Sequence, residues 1–211
     1  MSVFPLRNSK SLPVLHLSGD ASAGEVMIRG RLRLHIAKQR GFCHGVERAL
    51  KRVRDALNER GNRRVFITSS ILHNPQINEE LRSAGVEFLS DSPDLWERVG
   101  PNDIAILPAF GVPSEVEARL RARGAKIVDT TCGSVVFVWK AVEQLALDGF
   151  TLVYHGRLGH EESTATLARF ESACRRASRP VRYAVVADMS QAEALCQLIR
   201  QPMSARGPVR Q

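Results

Sequence analysis

The sequence predicts an α/β fold in which most strands pair in parallel. From residue 31 onward, short apolar runs of strand length alternate with stretches whose apolar residues recur at helical spacing. Strands separated by helices are joined by crossovers, and a crossover connection pairs its strands in parallel. The residues with useful chemistry fall after the strands rather than within the helices, which is where a parallel sheet gathers its ligand-binding loops.

Each element has its own signal. Leu32, Leu34 and Ile36 alternate with Arg31, Arg33 and His35, the period of a strand. Val46, Ala49, Leu50, Val53, Ala56 and Leu57 then recur at helical spacing, and Gly61 is a plausible stop. Residues 65–68 predict a strand, 77–84 a short helix, and 86–89 and 103–107 two further strands. Ser114-Glu115-Val116-Glu117 resembles a capping box opening a helix that ends at Gly124. Residues 126–128 return as a strand, and 135–147 form a long apolar-faced helix before Gly149. The pattern closes with a strand over 150–154, a helix over 161–170, a strand over 181–186 and a helix over 191–199. Residues 1–30 and 201–211 show no periodicity and are expected to be loose tails.

Composition narrows the class. The 211 residues, 44% hydrophobic and 25% charged, are those of an ordinary globular chain and not of a collagen, a coiled coil or a disordered polymer. Apolar runs such as Val135-Val136-Phe137-Val138 are far short of the roughly 20 residues that span a bilayer. The first 30 residues carry no apolar segment of signal-peptide type, so a cytoplasmic location is expected. A net charge of +8 invites a nucleic-acid reading. Its distribution argues against one: residues 1–40 are net +5 and 171–211 net +4, while 41–170 are net −1.

Four cysteines stand at 43, 132, 174 and 196, with no C-x-x-C pair, so zinc ribbons and dithiol motifs are not indicated. Cys43 lies in Gly41-Phe42-Cys43-His44-Gly45, and Cys132 in Asp129-Thr130-Thr131-Cys132-Gly133. Both follow a strand and precede a helix, with glycine beside them, so each can be either a buried thiol or a ligand or nucleophile. Cys196 sits at helical spacing with Ala192 and Ile199 and reads as a core thiol, while Cys174 beside Arg175 and Arg176 reads as incidental. His73 with Asn74, and His160 with Glu162, occupy two further loops after strands. Such groups can bind an anion and move protons, or simply sit in water.

Four motifs occur in order: Gly41-Phe42-Cys43-His44-Gly45-Val46-Glu47-Arg48-Ala49, His73-Asn74-Pro75-Gln76-Ile77-Asn78, Asp129-Thr130-Thr131-Cys132, and Gly159-His160-Glu161-Glu162-Ser163-Thr164. Together they resemble 4-hydroxy-3-methylbut-2-enyl diphosphate reductase, the last enzyme of the non-mevalonate isoprenoid pathway, over about residues 31–200. Leu107-Pro108-Ala109-Phe110-Gly111 is similar to the plant and cyanobacterial branch, which has Phe where many members have His.

The resemblance implies a [4Fe-4S] cluster held by three cysteines, with Cys43 and Cys132 as two of them. It implies that Glu162 relays protons, and that His73, Asn74 and His160 bind the diphosphate of an allylic substrate. Reduced ferredoxin or flavodoxin is the implied electron donor. The family has three similar three-layer α/β lobes. By that pattern this chain holds a tail over 1–30, a first lobe with its leading strand over 31–131, a second lobe over 132–200 and a tail over 201–211. The third lobe, with the third cysteine and a Ser-x-Asn clamp, is expected beyond Gln211, and the strand over 32–36 normally belongs to that lobe. A second polypeptide supplying the third lobe, or a truncated and inactive form, both fit. The competing reading is a non-catalytic α/β module that binds anions or nucleic acid through basic tails.

Overall fold

The computed structural model describes residues 25–38 and 41–201; of the tails expected over 1–30 and 201–211, residues 1–24 and 202–211 lie outside the described residues. Two units divide the chain, Met1–Cys43 and His44–Gln211.

In the first unit, β1 (Glu25–Arg29) pairs antiparallel with β2 (Leu32–Ile36), from Glu25 opposite Ile36 to Arg29 opposite Leu32. The connection is Gly30-Arg31, and Gly30 takes φ +55, the left-handed value that a two-residue hairpin turn asks for. The strand β1 falls inside the stretch expected to be a loose tail through residue 30. Its local partner β2 supplies the ladder that its own sequence does not advertise. The pairing also gives the strand over 32–36 a partner without any further lobe.

The second unit holds two parallel sheets. The first has the order β4-β3-β5-β6, built from β3 (Val65–Ile67), β4 (Val86–Phe88), β5 (Ile104–Leu107) and β6 (Lys126–Asp129). Every residue of β3 and β5 is buried, as expected for strands covered on both faces, whereas the edge strand β6 has none buried. Its helices are α1 (His44–Asn58), α2 (Pro75–Ser83), α3 (Asp94–Arg98) and α4 (Ser114–Ala122). The second sheet pairs β7 (Leu152–His155) with β8 (Tyr183–Val186), and α5 (Gly133–Leu147), α6 (Glu161–Arg176) and α7 (Met189–Arg200) accompany it. Phe66, Leu89, Ala105, Leu107 and Leu120 form a core under the first sheet; Val142, Leu152, Leu167, Phe170 and Cys174 form one under the second.

Several local expectations are corrected. Helix α4 begins at Ser114 itself, with Pro113 as its N-cap and no capping side chain. Ser114 Oγ instead lies 3.3 Å from Glu115 Oε2, so the capping box does not form. The short helix α3, opened by Ser92-Pro93, had no periodicity long enough to announce it. The two helix thiols exchange roles. Cys174 is 1% exposed in the core between α6 and its sheet, while Cys196 is exposed on α7, a helix with no buried residue.

An internal ion pair anchors the start of β5. Asp103, 4% exposed, takes Arg64 Nε at 3.0 Å and Arg64 Nη2 at 2.8 Å, and also accepts the Gly100 N–H at 2.8 Å. Burial alone would raise this carboxyl; the hydrogen bonds from Arg64 and Gly100 outweigh it and hold the group below the usual carboxylate range. A depressed carboxylate stabilises the fold above its unfolded value of about 3.9, and that contribution is lost as pH falls through the lower folded value. Asp103→Asn is expected to cost about 1–2 kcal/mol at neutral pH, by leaving the half-exposed Arg64 guanidinium without its charged partner, and to flatten the loss of stability in acid. Urea midpoints of both proteins between pH 7 and pH 3 measure this. Burial likewise pushes the Cys174 thiol up. In the folded protein Cys196 should therefore react with iodoacetamide while Cys174 reacts only after unfolding, as mass spectrometry of the labelled peptides will show.

Candidate anion site at the strand ends

Parallel pairing sends the ends of β3, β5 and β6 to one edge of the first sheet. His73 stands in the loop after β3, Phe110 in the loop after β5, and Cys132 in the loop after β6. His160, after β7, joins them from the second sheet. The His73 ring stacks on Phe110, with centroids 4.8 Å apart and planes 12° from parallel, and lies 4.9 Å from the tilted ring of His160. Glu161 Oε2 is 4.0 Å from His73 Nε2.

Hydrogen bonds fix these side chains from below. Asn78 braces the loop before α2: its Oδ1 accepts the Ile71 N–H at 3.1 Å and its Nδ2 donates to the Leu72 carbonyl at 2.9 Å. Asn74 caps α2 by accepting the Ile77 N–H on Oδ1, with Pro75 in the first helical position, which leaves its amide nitrogen as the donor end. His160 caps α6 in the same manner, its Nδ1 accepting the Glu162 N–H at 3.3 Å. An imidazole that accepts on Nδ1 carries its proton on Nε2, so neutral His160 presents an N–H donor.

That tautomer decides between two chemistries. His73, His160 and Glu161 offer ligand atoms within 4.8 Å of one another, a donor set that could hold a divalent cation. A metal needs the lone pair on the nitrogen it binds, whereas His160 uses its lone pair at the helix cap and turns N–H outward. The N–H donors of His160 and Asn74 and the open start of α6 suit an oxyanion better.

Cys132 is the half-buried N-cap of α5, its N–H bonded to the Ala109 carbonyl at 2.8 Å. The turn before it is held by Asp129, whose Oδ1 accepts from Thr131 N at 2.8 Å and from Thr131 Oγ1 at 2.5 Å. Arg48 and Arg52, one turn apart on α1, donate to the carbonyls of Thr131 and Asp129. Cys43 is exposed and ends the first unit.

His73 and His160, singled out from sequence, are thus brought together, with Asn74 capping the adjoining helix. Glu161 supplies the carboxylate beside His73. Sequence reasoning passed over Glu161 and Asn78. Two adjacent glutamates at a helix start are indistinguishable by spacing, and Asn78 lies inside a helix that gives no hint of a loop to brace.

A family model described as LytB protein matches residues 34–202. The 4-hydroxy-3-methylbut-2-enyl diphosphate reductase of Gloeobacter violaceus is 35% identical over 182 residues, covering 83% of this chain and 41% of the relative. That of Acaryochloris marina is 40% identical over 141 residues, covering 65% and 34%. A solved structure of (E)-4-hydroxy-3-methyl-but-2-enyl diphosphate reductase superposes with a TM-score of 0.60 at 33% identity, over 74% of this chain and 52% of that one. The Plasmodium falciparum reductase structure shares the fold at 23% identity and a TM-score of 0.59. The chain therefore spans about two fifths of the length of the Gloeobacter relative. With most of its described residues inside the family match, it belongs to the LytB protein family.

Proposed function

We propose that this chain provides the diphosphate-binding and part of the cluster-binding machinery of a 4-hydroxy-3-methylbut-2-enyl diphosphate reductase. The observation that carries the reading is the meeting of His73 and His160 at 4.9 Å beside the Asn74 helix cap. The activity by which the relatives are named supports a diphosphate as that anion. The net reaction breaks the allylic C–O bond and consumes two electrons and two protons. One proton leaves with the hydroxyl oxygen as water and the other goes to carbon, giving isopentenyl or dimethylallyl diphosphate.

In this reading His160 Nε2–H and the Asn74 amide donate to diphosphate oxygens, while His73, covered on one face by Phe110, meets the ligand through its edge. Glu162 delivers protons toward the leaving oxygen. Phe110 and Ala109, both buried, exclude water on one side.

The donor set fits a [4Fe-4S] cluster in part. Cys43 and Cys132 are accessible free thiols, and Cys132 sits at a helix N-terminus where thiolate charge is favoured. Cys174 is closed inside the core and is not available as a third thiolate. When bound, such a cluster supplies electrons and a Lewis-acidic iron that can activate a C–O bond. Reduced ferredoxin or flavodoxin is the proposed donor, and a polypeptide carrying the remainder of the relatives' length the proposed complement. Among the described residues no helix is long and apolar enough to cross a membrane, and the four free thiols support a reducing, cytoplasmic setting.

Two outcomes test this. After anaerobic reconstitution, Cys43→Ser or Cys132→Ser should abolish iron binding, whereas Cys174→Ser and Cys196→Ser should leave it largely intact; an equal loss in all four would place the ligands elsewhere. The 211-residue chain alone should turn over hydroxymethylbutenyl diphosphate slowly or not at all with a chemical reductant. The two charge-assisted hydrogen bonds expected of the Ser-x-Asn loop, at roughly 1.5–3 kcal/mol each, would strengthen substrate binding on the order of 100-fold or more. Adding a polypeptide with the third cysteine and the Ser-x-Asn loop should restore turnover. Robust activity without it would sink the division of the site.

A further inference from the structure

We propose that Trp139 is a positioning residue: its indole, wedged from α5 against Gly111, sets the loop that holds Phe110 on His73. The inference rests on the anion-site reading above and assigns that site a support outside its lining.

Gly111 takes φ +75 directly after Phe110, and a methyl placed on it would lie 2.3 Å from both Cη2 and Cζ2 of Trp139 and 3.3 Å from Thr131 Cγ2. Backbone and indole are therefore in the closest approach that glycine permits. The indole is 7% exposed and packs with Val135 and Ala165, which ties it to α5 and α6. The Arg169 guanidinium lies over its outer side, with Cζ 4.3 Å from the ring centroid, and Glu117 Oε2 stands 3.8 Å from Arg169 Nη2. A buried indole ordinarily finds an acceptor for its N–H, yet Trp139 Nε1 has none among the described residues. Among the described residues the contacts that hold it are its packing against Val135 and Ala165 and the cation over its ring. That is the signature of a wedge. Two links separate it from His73: Gly111 to Phe110 along the backbone, and Phe110 to His73 through the stacked rings.

The test combines a mutant cycle with a ligand readout on the full 211-residue chain. Gly111→Ala should lower the thermal midpoint by about 4 °C or more with Trp139 present, and by less than half as much in a Trp139→Leu background. Both backgrounds share the positive-φ strain, so the difference isolates the clash. In Trp139→Leu alone, the His73 ring-proton resonances should move toward those of an unstacked histidine. Inorganic pyrophosphate should bind about tenfold more weakly, a change of 1.4 kcal/mol. Trp139→Phe, which keeps a ring beneath Arg169, should recover part of both. Equal Gly111→Ala effects in the two backgrounds, or His73 resonances unmoved in a folded Trp139→Leu protein, would overturn the wedge. If pyrophosphate fails to bind the unaltered chain, the diphosphate reading falls instead, and the His73 resonances still decide the proposal.

Discussion

The parallel pairing of β3 with β5 is the constraint on which the site depends. Val65, Phe66 and Ile67 lie opposite Ile104, Ala105 and Ile106, all six almost wholly buried, so a one-residue slip of either strand would exchange side chains between two packed faces and misfit both. The polarity of that pair delivers the His73 and Phe110 loops to the same edge. The ladder then runs past the strands themselves. Thr68 N–H bonds to the Ile106 carbonyl, Thr130 N–H to that of Leu107, and Cys132 N–H to that of Ala109. The loops that carry chemistry are therefore extensions of the sheet's own hydrogen bonding. Side chains in them inherit the rigidity of the core, which a catalytic arrangement requires.

Much of this was legible in the sequence because one signal, apolar periodicity, covers most of the unit. Strands at 65–67, 104–107, 126–129 and 183–186 fall where short apolar runs placed them, and loops after strands marked His73 beside Asn74, His160 after Gly159 and Cys132 before Gly133. The failures share a cause. Periodicity finds the apolar face of a helix but not what covers it. Cys196 shares a helical face with Ile199, yet both are exposed, Ile199 at 57%. Cys174, flanked by Arg175 and Arg176, points inward because α6 runs to Arg176, well beyond the periodic stretch that ended at Phe170. Likewise β1 owes its ladder to a neighbour, and Ser114 lost its capping role to a proline that already sets the helix entry.

Side-chain chemistry was least legible where backbone hydrogen bonds decide it. A histidine in a loop can be a cation, a neutral donor, a lone-pair donor or a metal ligand, and the sequence is the same for each. At His160 the Glu162 N–H occupies Nδ1, and that single contact removes the lone-pair roles at once. At His73 the parallel Phe110 ring covers one face and leaves the edge for polar partners. Neutral N–H donors beside an aromatic wall favour a ligand that is anionic at one end and hydrocarbon at the other. A small inorganic ion would use the donors and leave the wall idle. An allylic diphosphate uses both, which is the physical ground on which the proposed substrate class rests.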